Sequence, residues 1–186
     1  GLKAVTAINA GALAALDLAP LKSFKFVGAM GDSVQSWLLT PPGFDPARKY
    51  PLIFIVHGGP QAPMLDAWSA RWNYQMFAAR GYVVAAVNFH GSPGWGQKFV
   101  NSISKHWGDY PFEDLMKGLD VVAALPYVDS TRMGAAGASY GGGSEAAMPG
   151  RASRTASATV IRLAFDWRTT PMPTVGAPLN RSALRS

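Results

Sequence analysis

The spacing of apolar and polar residues predicts a short hairpin followed by a buried strand in the first third of the chain. Residues 23–27 and 34–40 are predicted as two strands joined by a turn around Gly31 and Asp32, which makes an antiparallel hairpin. Residues 52–56 form an unbroken apolar run that ends in glycines, the pattern of a strand buried on both faces. The chain is therefore predicted to build a sheet from its N-terminal side onward.

Helical periodicity alternates with further strands from residue 66 onward. Residues 66–81 place Trp68, Trp72 and Met76 four residues apart, which predicts an amphipathic helix with these side chains in the core. The segment "YVVAAVNFHGS" predicts a second buried strand, and "GQKFVNSISKHWG" predicts another helix. Strands alternating with helices indicate an α/β protein with a mainly parallel sheet flanked by helices.

The longest helical pattern follows Asp109, a candidate N-cap residue with Pro111 in the first turn after it. One face of this helix is apolar and consists of Phe112, Leu115, Met116, Leu119, Val122 and Ala123. Glu113 and Asp114 resemble a carboxylate pair, but adjacent residues diverge by about 100° on a helix. We expect them to supply negative charge at the helix N-terminus.

Composition and charge exclude several classes of function. The 186 residues contain no cysteine and only three histidines, and no two histidines are four residues apart, so no metal site and no cofactor are expected. The net charge is +6, but residues 1–145 hold eleven Lys and Arg against ten Asp and Glu. The excess lies in scattered arginines after residue 145 without interleaved aromatic residues, so no nucleic-acid partner is expected.

The apolar segment at residues 4–20 is interrupted by Asn9 and Asp17. It is too short and too polar for a membrane span, and a linker or short amphipathic helix is expected.

The motif "GASYG" at residues 137–141 has the G-x-S-x-G form of a nucleophile elbow. Such a serine stands on a tight strand-to-helix turn, where flanking glycines let neighbouring main chain approach. The helix N-terminus then points free N–H groups at the position where an oxyanion develops. The pattern alone is weak, but "HGGP" at residues 57–60 closes an earlier buried strand, where such sheets supply a second oxyanion donor. Together the two motifs predict Ser139 as a nucleophile.

Four segments in order, "YPLIFIVHGGPQ", "NFHGSPGWGQKF", "WGDYPFEDLMKGLDVV" and "GASYGG", resemble the catalytic domain of the prolyl oligopeptidase family of serine peptidases. The resemblance covers about residues 20–142 and is greatest to bacterial dipeptidyl and acylaminoacyl peptidase-like members. It implies the N-terminal part of an α/β-hydrolase fold that releases short N-terminal units from peptides. By position, Ser139 corresponds to the nucleophile, while the Tyr140 and Gly59 N–H groups correspond to the oxyanion donors.

The sequence departs from the family pattern at the catalytic base. The hydrolase order is Ser, then Asp, then His, but no histidine follows His106, and Asp166 is the only aspartate after Ser139. His57 is expected to be a structural residue that orders the "HGGP" loop. His90 stands where the family usually has Arg, and both His90 and His106 are expected in solvated or capping positions.

Three regions are expected along the chain. Residues 1–20 resemble the connection from the β-propeller that normally precedes this domain, and no propeller is expected within the chain. Residues 21–142 are the partial catalytic domain. Residues 143–186 are rich in Arg, Ala, Ser and Pro, as a shifted reading frame of a GC-rich gene produces, and a genuine divergent tail is the alternative.

Two functions remain open at this point. The first is a serine peptidase acting on peptides through an acyl-enzyme on Ser139, expected to be inactive as this chain because the catalytic His and Asp are missing. The second is a catalytically silent hydrolase-fold binding module. Cytoplasmic and periplasmic or secreted locations are both compatible with the sequence.

Overall fold

The computed structural model describes residues 5–69 and 72–142. Within them, five strands and four α-helices follow one another in the order α1 (Ala10–Ala14), β1 (Lys22–Val27), β2 (Ser33–Leu39), β3 (Tyr50–Val56), α2 (Tyr74–Ala78), β4 (Val83–Val87), α3 (Gln97–Asn101), α4 (Tyr110–Ala123) and β5 (Val128–Gly137). The strands form one sheet in the order β1-β2-β4-β3-β5. This is the N-terminal portion of an α/β-hydrolase sheet.

The sheet combines an antiparallel hairpin with three parallel strands. Strand β1 pairs antiparallel with β2, and β2 pairs antiparallel with β4. Strand β3 pairs parallel with both β4 and β5, and Val56 lies opposite Gly137 at the end of the β3–β5 ladder. The predicted hairpin and the predicted buried strands are therefore confirmed. The carboxyl ends of β3, β4 and β5 meet at one edge of the sheet.

Successive residues of β3 face opposite sides of the sheet, so each side has its own core. Leu52, Phe54 and Val56 belong to the cluster that α4 covers, while Ile53 and Ile55 belong to the cluster that α2 covers. Residues 52–56 are at most 5% exposed. A strand enclosed on both faces needs apolar residues on both, which explains the unbroken apolar run in the sequence.

Helix α4 has the predicted limits and cap. The Asp109 side chain accepts a hydrogen bond from the Tyr110 N–H at 3.0 Å, and Pro111 lies in the first turn. Glu113 is exposed and pairs with Lys117. The expectation for Asp114 was wrong: its side chain is fully buried and is bonded to His90 and to the Ala29 N–H. It lies on the core-facing side of the helix.

The predicted helix over residues 66–81 is much shorter than its periodicity suggested. Helix α2 begins at Tyr74, where Asn73 caps it by accepting from the Gln75 N–H. The expected core positions Trp68 and Met76 are 64% and 68% exposed, so that prediction was wrong for both. Only Trp72 packs against the core, beside Tyr74. The buried residues of α2 are Tyr74 and Ala78. They lie two residues further along the chain than the expected core positions Trp72 and Met76.

Residues 5–21 contribute little to the core. Helix α1 has no buried residue, as a linker segment would, and the first firm attachment comes from Gln75, whose side-chain N–H donates to the Ala19 carbonyl at 2.7 Å. Across the described ranges, no helix is both long and apolar enough to cross a membrane.

Candidate active site

Ser139 stands on a sharp turn directly after β5. The strand ends at Gly137, and helical backbone begins again at Tyr140. Ser139 has φ of 61°, in the left-handed region that residues with a side chain rarely occupy, and its side chain is exposed. Such a conformation at a strand-to-helix turn is the geometry of a nucleophile elbow, in which the hydroxyl projects from the sheet edge.

Two glycines allow the main chain to close around this turn. A Cβ atom on Gly141 would lie 2.3 Å from the Val56 carbonyl oxygen, so the helix after Ser139 can approach the end of β3 only with glycine there. A Cβ atom on Gly58 would lie 3.4 Å from the Ser139 Cβ and 3.9 Å from its Oγ. Since Val56 and Gly137 are register partners, the two loops leave the sheet side by side.

The candidate oxyanion donors lie on these two loops. Tyr140 is the first helical residue after the turn, the position at which backbone N–H groups point out of a helix N-terminus. Gly59 follows Gly58 in the "HGGP" loop and has φ of 130°, which only glycine adopts readily. The structure thus brings the loop of Gly59 next to Ser139, with the side of Gly58 that lacks a Cβ facing the serine.

His57 orders the "HGGP" loop from within. Its ring is buried and stacks on Phe89 with centroids 4.0 Å apart. Its Nδ1–H donates to the Gly58 carbonyl at 2.8 Å, and its Nε2 accepts from the Ser92 hydroxyl at 3.0 Å. Burial lowers the pKa of His57 to about 4, against a smaller opposing contribution from the Gly58 carbonyl. The ring is therefore neutral at pH 7, in the structural role predicted for it.

An aromatic row, consisting of Phe89, Tyr140 and Trp107, packs around the residue after Ser139. The Tyr140 ring lies 5.6 Å from Phe89 and meets Trp107 edge-on at 5.9 Å. Its hydroxyl donates to the Trp107 carbonyl. Sequence reasoning missed this row. The only available signal was the aromatic residue after Ser139, which does not indicate what it packs against.

None of the three histidines is engaged as a partner of Ser139. His57 bonds to Gly58 and Ser92, His90 to Asp114 and Asp32, and exposed His106 to Asp109 at 2.7 Å. The solvated position expected for His106 is observed. The one expected for His90 was wrong, because its side chain is fully buried between carboxylates.

Asp166, the only aspartate after Ser139 in the sequence, lies outside the described residues. Among residues 5–69 and 72–142, no three His, Asp or Glu side chains are grouped so as to hold a metal ion.

Comparison with known proteins agrees with this arrangement. A sequence profile of the prolyl oligopeptidase family matches residues 68–173, which reaches beyond the boundary at residue 142 expected from the motifs. A "probable dipeptidyl-peptidase 5" of Aspergillus terreus is 52% identical over 110 residues, which are 59% of this chain and 15% of that protein. The dipeptidyl-peptidase 5 of Schizosaccharomyces pombe is 43% identical over 118 residues, 63% of this chain and 17% of that protein. The chain therefore spans a small part of these relatives.

Solved structures with the same fold are also peptidases. Dipeptidyl peptidase 4 of Porphyromonas gingivalis superposes with a TM-score of 0.70 at 28% identity, over 80% of this chain and 21% of that one. The acylaminoacyl peptidase of Pyrococcus horikoshii superposes with a TM-score of 0.67 at 27% identity, over 77% of this chain and 23% of that one. With its elbow, its "HGGP" loop and a profile match over more than half of its length, the chain belongs to the prolyl oligopeptidase family.

Proposed function

We propose that this chain carries the nucleophile and the oxyanion-binding elements of a serine peptidase that releases short N-terminal units from peptides. The observation that carries the proposal is the exposed Ser139 with φ of 61° directly after β5, where it faces Gly58 of the "HGGP" loop. The names of the relatives, dipeptidyl-peptidase and acylaminoacyl peptidase, support a peptide substrate.

In the proposed reaction, the Ser139 Oγ attacks the carbonyl carbon of the scissile peptide bond while its proton passes to a general base. Negative charge develops on the carbonyl oxygen, and the Tyr140 and Gly59 N–H groups donate hydrogen bonds to it. The C–N bond then breaks, and the leaving amine takes up the proton. Water hydrolyses the resulting ester and restores the serine. One such donor contributes about 10²–10³-fold to turnover, because it is already aimed at the developing charge.

The base for the first step is not one of the three histidines, since each is bonded elsewhere. A serine without its base loses on the order of 10⁶ in turnover. We therefore propose that the 186-residue polypeptide alone is a poor catalyst, retaining roughly 10³-fold over water from oxyanion stabilisation. The same observation favours the second candidate, a hydrolase-fold module that binds without turnover.

A fluorophosphonate probe distinguishes these functions when it is applied to the full chain, to Ser139→Ala and to Ser104→Ala. Ser104 is exposed on another loop and serves as the matched control. We expect slow labelling that disappears in Ser139→Ala and persists in Ser104→Ala, together with peptide hydrolysis near the buffer rate. Rapid labelling with turnover would show that a base is present. Labelling no faster than that of the unfolded chain would favour the binding module.

We also propose the organisation of the chain expected from its sequence. In this proposal residues 1–20 lead in from a β-propeller, and residues 21–142 belong to the catalytic domain. The exposed α1 and the attachment of Ala19 to Gln75 support the first boundary. The third region, residues 143–186, lies outside the described residues. Reading the coding DNA in three frames around codon 143 tests whether its composition comes from a shifted frame.

A further inference from the structure

His90 is a fully buried histidine whose two ring nitrogens both face carboxylates. It follows β4 by three residues, and its side chain has no exposed surface. Its Nδ1 lies 2.6 Å from Asp114 Oδ2, and its Nε2 lies 3.3 Å from Asp32 Oδ2. A neutral imidazole carries one N–H and would turn a lone pair toward one of the two carboxylates. The geometry therefore fits the imidazolium, which donates on both sides.

Asp114 makes this histidine part of a junction between three elements. Its Oδ2 also accepts from the His90 backbone N–H at 2.7 Å, and its Oδ1 accepts from the Ala29 N–H at 2.7 Å. Asp114 belongs to α4, His90 follows β4, and Ala29 and Asp32 belong to the turn between β1 and β2. A Cβ atom on Gly28 would lie 2.2 Å from Asp114 Oδ1, so this turn fits closely over the carboxylate.

The other groups around His90 leave the two carboxylates as its ionic partners. Phe99 stacks on the ring with centroids 4.2 Å apart, and Tyr110 of α4 lies 6.3 Å away. The cation nearest to the same turn is Lys117, which donates to the Gly28 carbonyl at 2.9 Å and pairs with Glu113. Asp32 is partly exposed, so its share is weakened by solvent, while Asp114 is fully buried.

We infer that His90, Asp114 and Asp32 form a charged junction that holds the β1–β2 turn and the exit of β4 on α4, and that loosens as pH rises. Loss of one proton from His90 would leave the buried Asp114 carboxylate without its cation and Asp32 without a donor. Ser92, two residues beyond His90, contacts His57 of the "HGGP" loop. Loosening of the junction would therefore extend through Ser92 and His57 to the "HGGP" loop of the candidate active site.

The direction of the pH dependence follows from the balance of burial and charge. Burial lowers the pKa of His90, but the hydrogen bonds and charges of Asp114 and Asp32 outweigh it and raise the pKa above its ordinary value of 6.5. The unfolded chain loses this proton near pH 6.5. The stabilisation is therefore fully present below about pH 6.5 and is lost as pH rises through the higher pKa of the folded protein.

The test compares denaturant unfolding of the full chain with that of His90→Arg, His90→Gln and His106→Gln between pH 6 and pH 9. His90→Arg keeps a cation that does not titrate in this range, and exposed His106 provides the matched control. We expect the folding equilibrium constant of the wild type and of His106→Gln to fall as pH rises across this range, because the folded protein there loses the proton that His90 holds between the two carboxylates. The constant of His90→Arg should stay level.

Direct titration of the histidine ring signals by NMR provides a second measurement that does not depend on the variants folding. A His90 pKa above 6.5 supports the junction. A His90 pKa at or below 6.5, or a His90→Arg protein that loses stability with pH as steeply as the wild type, would overturn it. Equal stability of His90→Gln and the wild type at pH 6 would overturn it as well.

Discussion

At the scale of single residues, the candidate site depends on glycine at one position after the nucleophile. The carbonyl oxygen of Val56 occupies the space that a Gly141 side chain would need, at 2.3 Å from a Cβ atom. A strand carbonyl cannot rotate away as a flexible side chain can, so Gly141→Ala must displace either the end of β3 or the turn that holds Ser139. We expect a loss of about 3 kcal/mol in the free energy of unfolding, measured by denaturant titration.

The adjacent glycine provides the control for this change. Among the described residues, the nearest atom to a Cβ on Gly142 is the Gly137 carbonyl oxygen, 4.0 Å away, so Gly142→Ala should leave the free energy of unfolding within about 0.5 kcal/mol of the wild type. If both variants are equally stable, the close contact with Val56 is not limiting. Fluorophosphonate labelling of Ser139 should fall in Gly141→Ala alone.

At the scale of elements, the packing of α4 on the sheet rests on a glycine within the helix. A Cβ atom on Gly118 would lie 2.7 Å from Val87 Cγ2 and 3.0 Å from the Phe26 ring. Alanine would favour the helix by about 1 kcal/mol, whereas overpacking a filled core costs about 1–3 kcal/mol. The contact is shorter than real Cβ contacts, so we expect overpacking to dominate and Gly118→Ala to destabilise the protein by about 1 kcal/mol.

A second helical glycine separates propensity from packing. Gly11 in α1 has no atom of the described residues within 4 Å of its Cβ position, so Gly11→Ala should be neutral or slightly stabilising. Thermal unfolding of the two variants beside the wild type measures the difference. A Gly118→Ala protein as stable as the Gly11→Ala protein would mean that Val87 and Phe26 move aside without cost.

At the scale of the whole molecule, two buried histidines make the free energy of unfolding depend on pH in opposite directions. His57 is held neutral, with a pKa lowered to about 4, whereas the unfolded chain binds a proton at this site near pH 6.5. Its contribution is therefore present above about pH 6.5 and is lost as pH falls toward 4. His90 acts in the opposite sense at higher pH. The free energy of unfolding should be greatest near pH 6.5.

His57 sets the acid side of this profile, because its lowered pKa corresponds to about 3 kcal/mol between pH 6.5 and pH 4. We expect His57→Asn to be less stable than the wild type at pH 7 and to lose less stability on acidification, as measured by urea unfolding at each pH. If both proteins lose the same stability on acidification, titration of carboxylates, and not of His57, accounts for the loss at low pH.

The sequence determined the features that local pattern can encode. Alternation and apolar runs predicted the hairpin and the buried strands that became β3 and β4, and 3.6-residue spacing predicted α4. The glycines around Ser139 predicted the turn after β5, because a left-handed backbone and a close carbonyl both require residues without a side chain nearby. Four motifs in a fixed order were enough to indicate the family.

Tertiary structure alone decided which side chains meet. His90 and Asp114 are 24 residues apart, and nothing in the periodicity of either segment marks a buried ion pair. Trp68 and Met76 have core spacing but remain exposed, because the chain turns into helix only at Tyr74 and buries a different face. Burial and partner choice depend on contacts made across the sheet, whereas helix and strand patterns depend on neighbours a few residues away. The turn at Ser139 could therefore be predicted, and the burial of His90 between Asp114 and Asp32 could not.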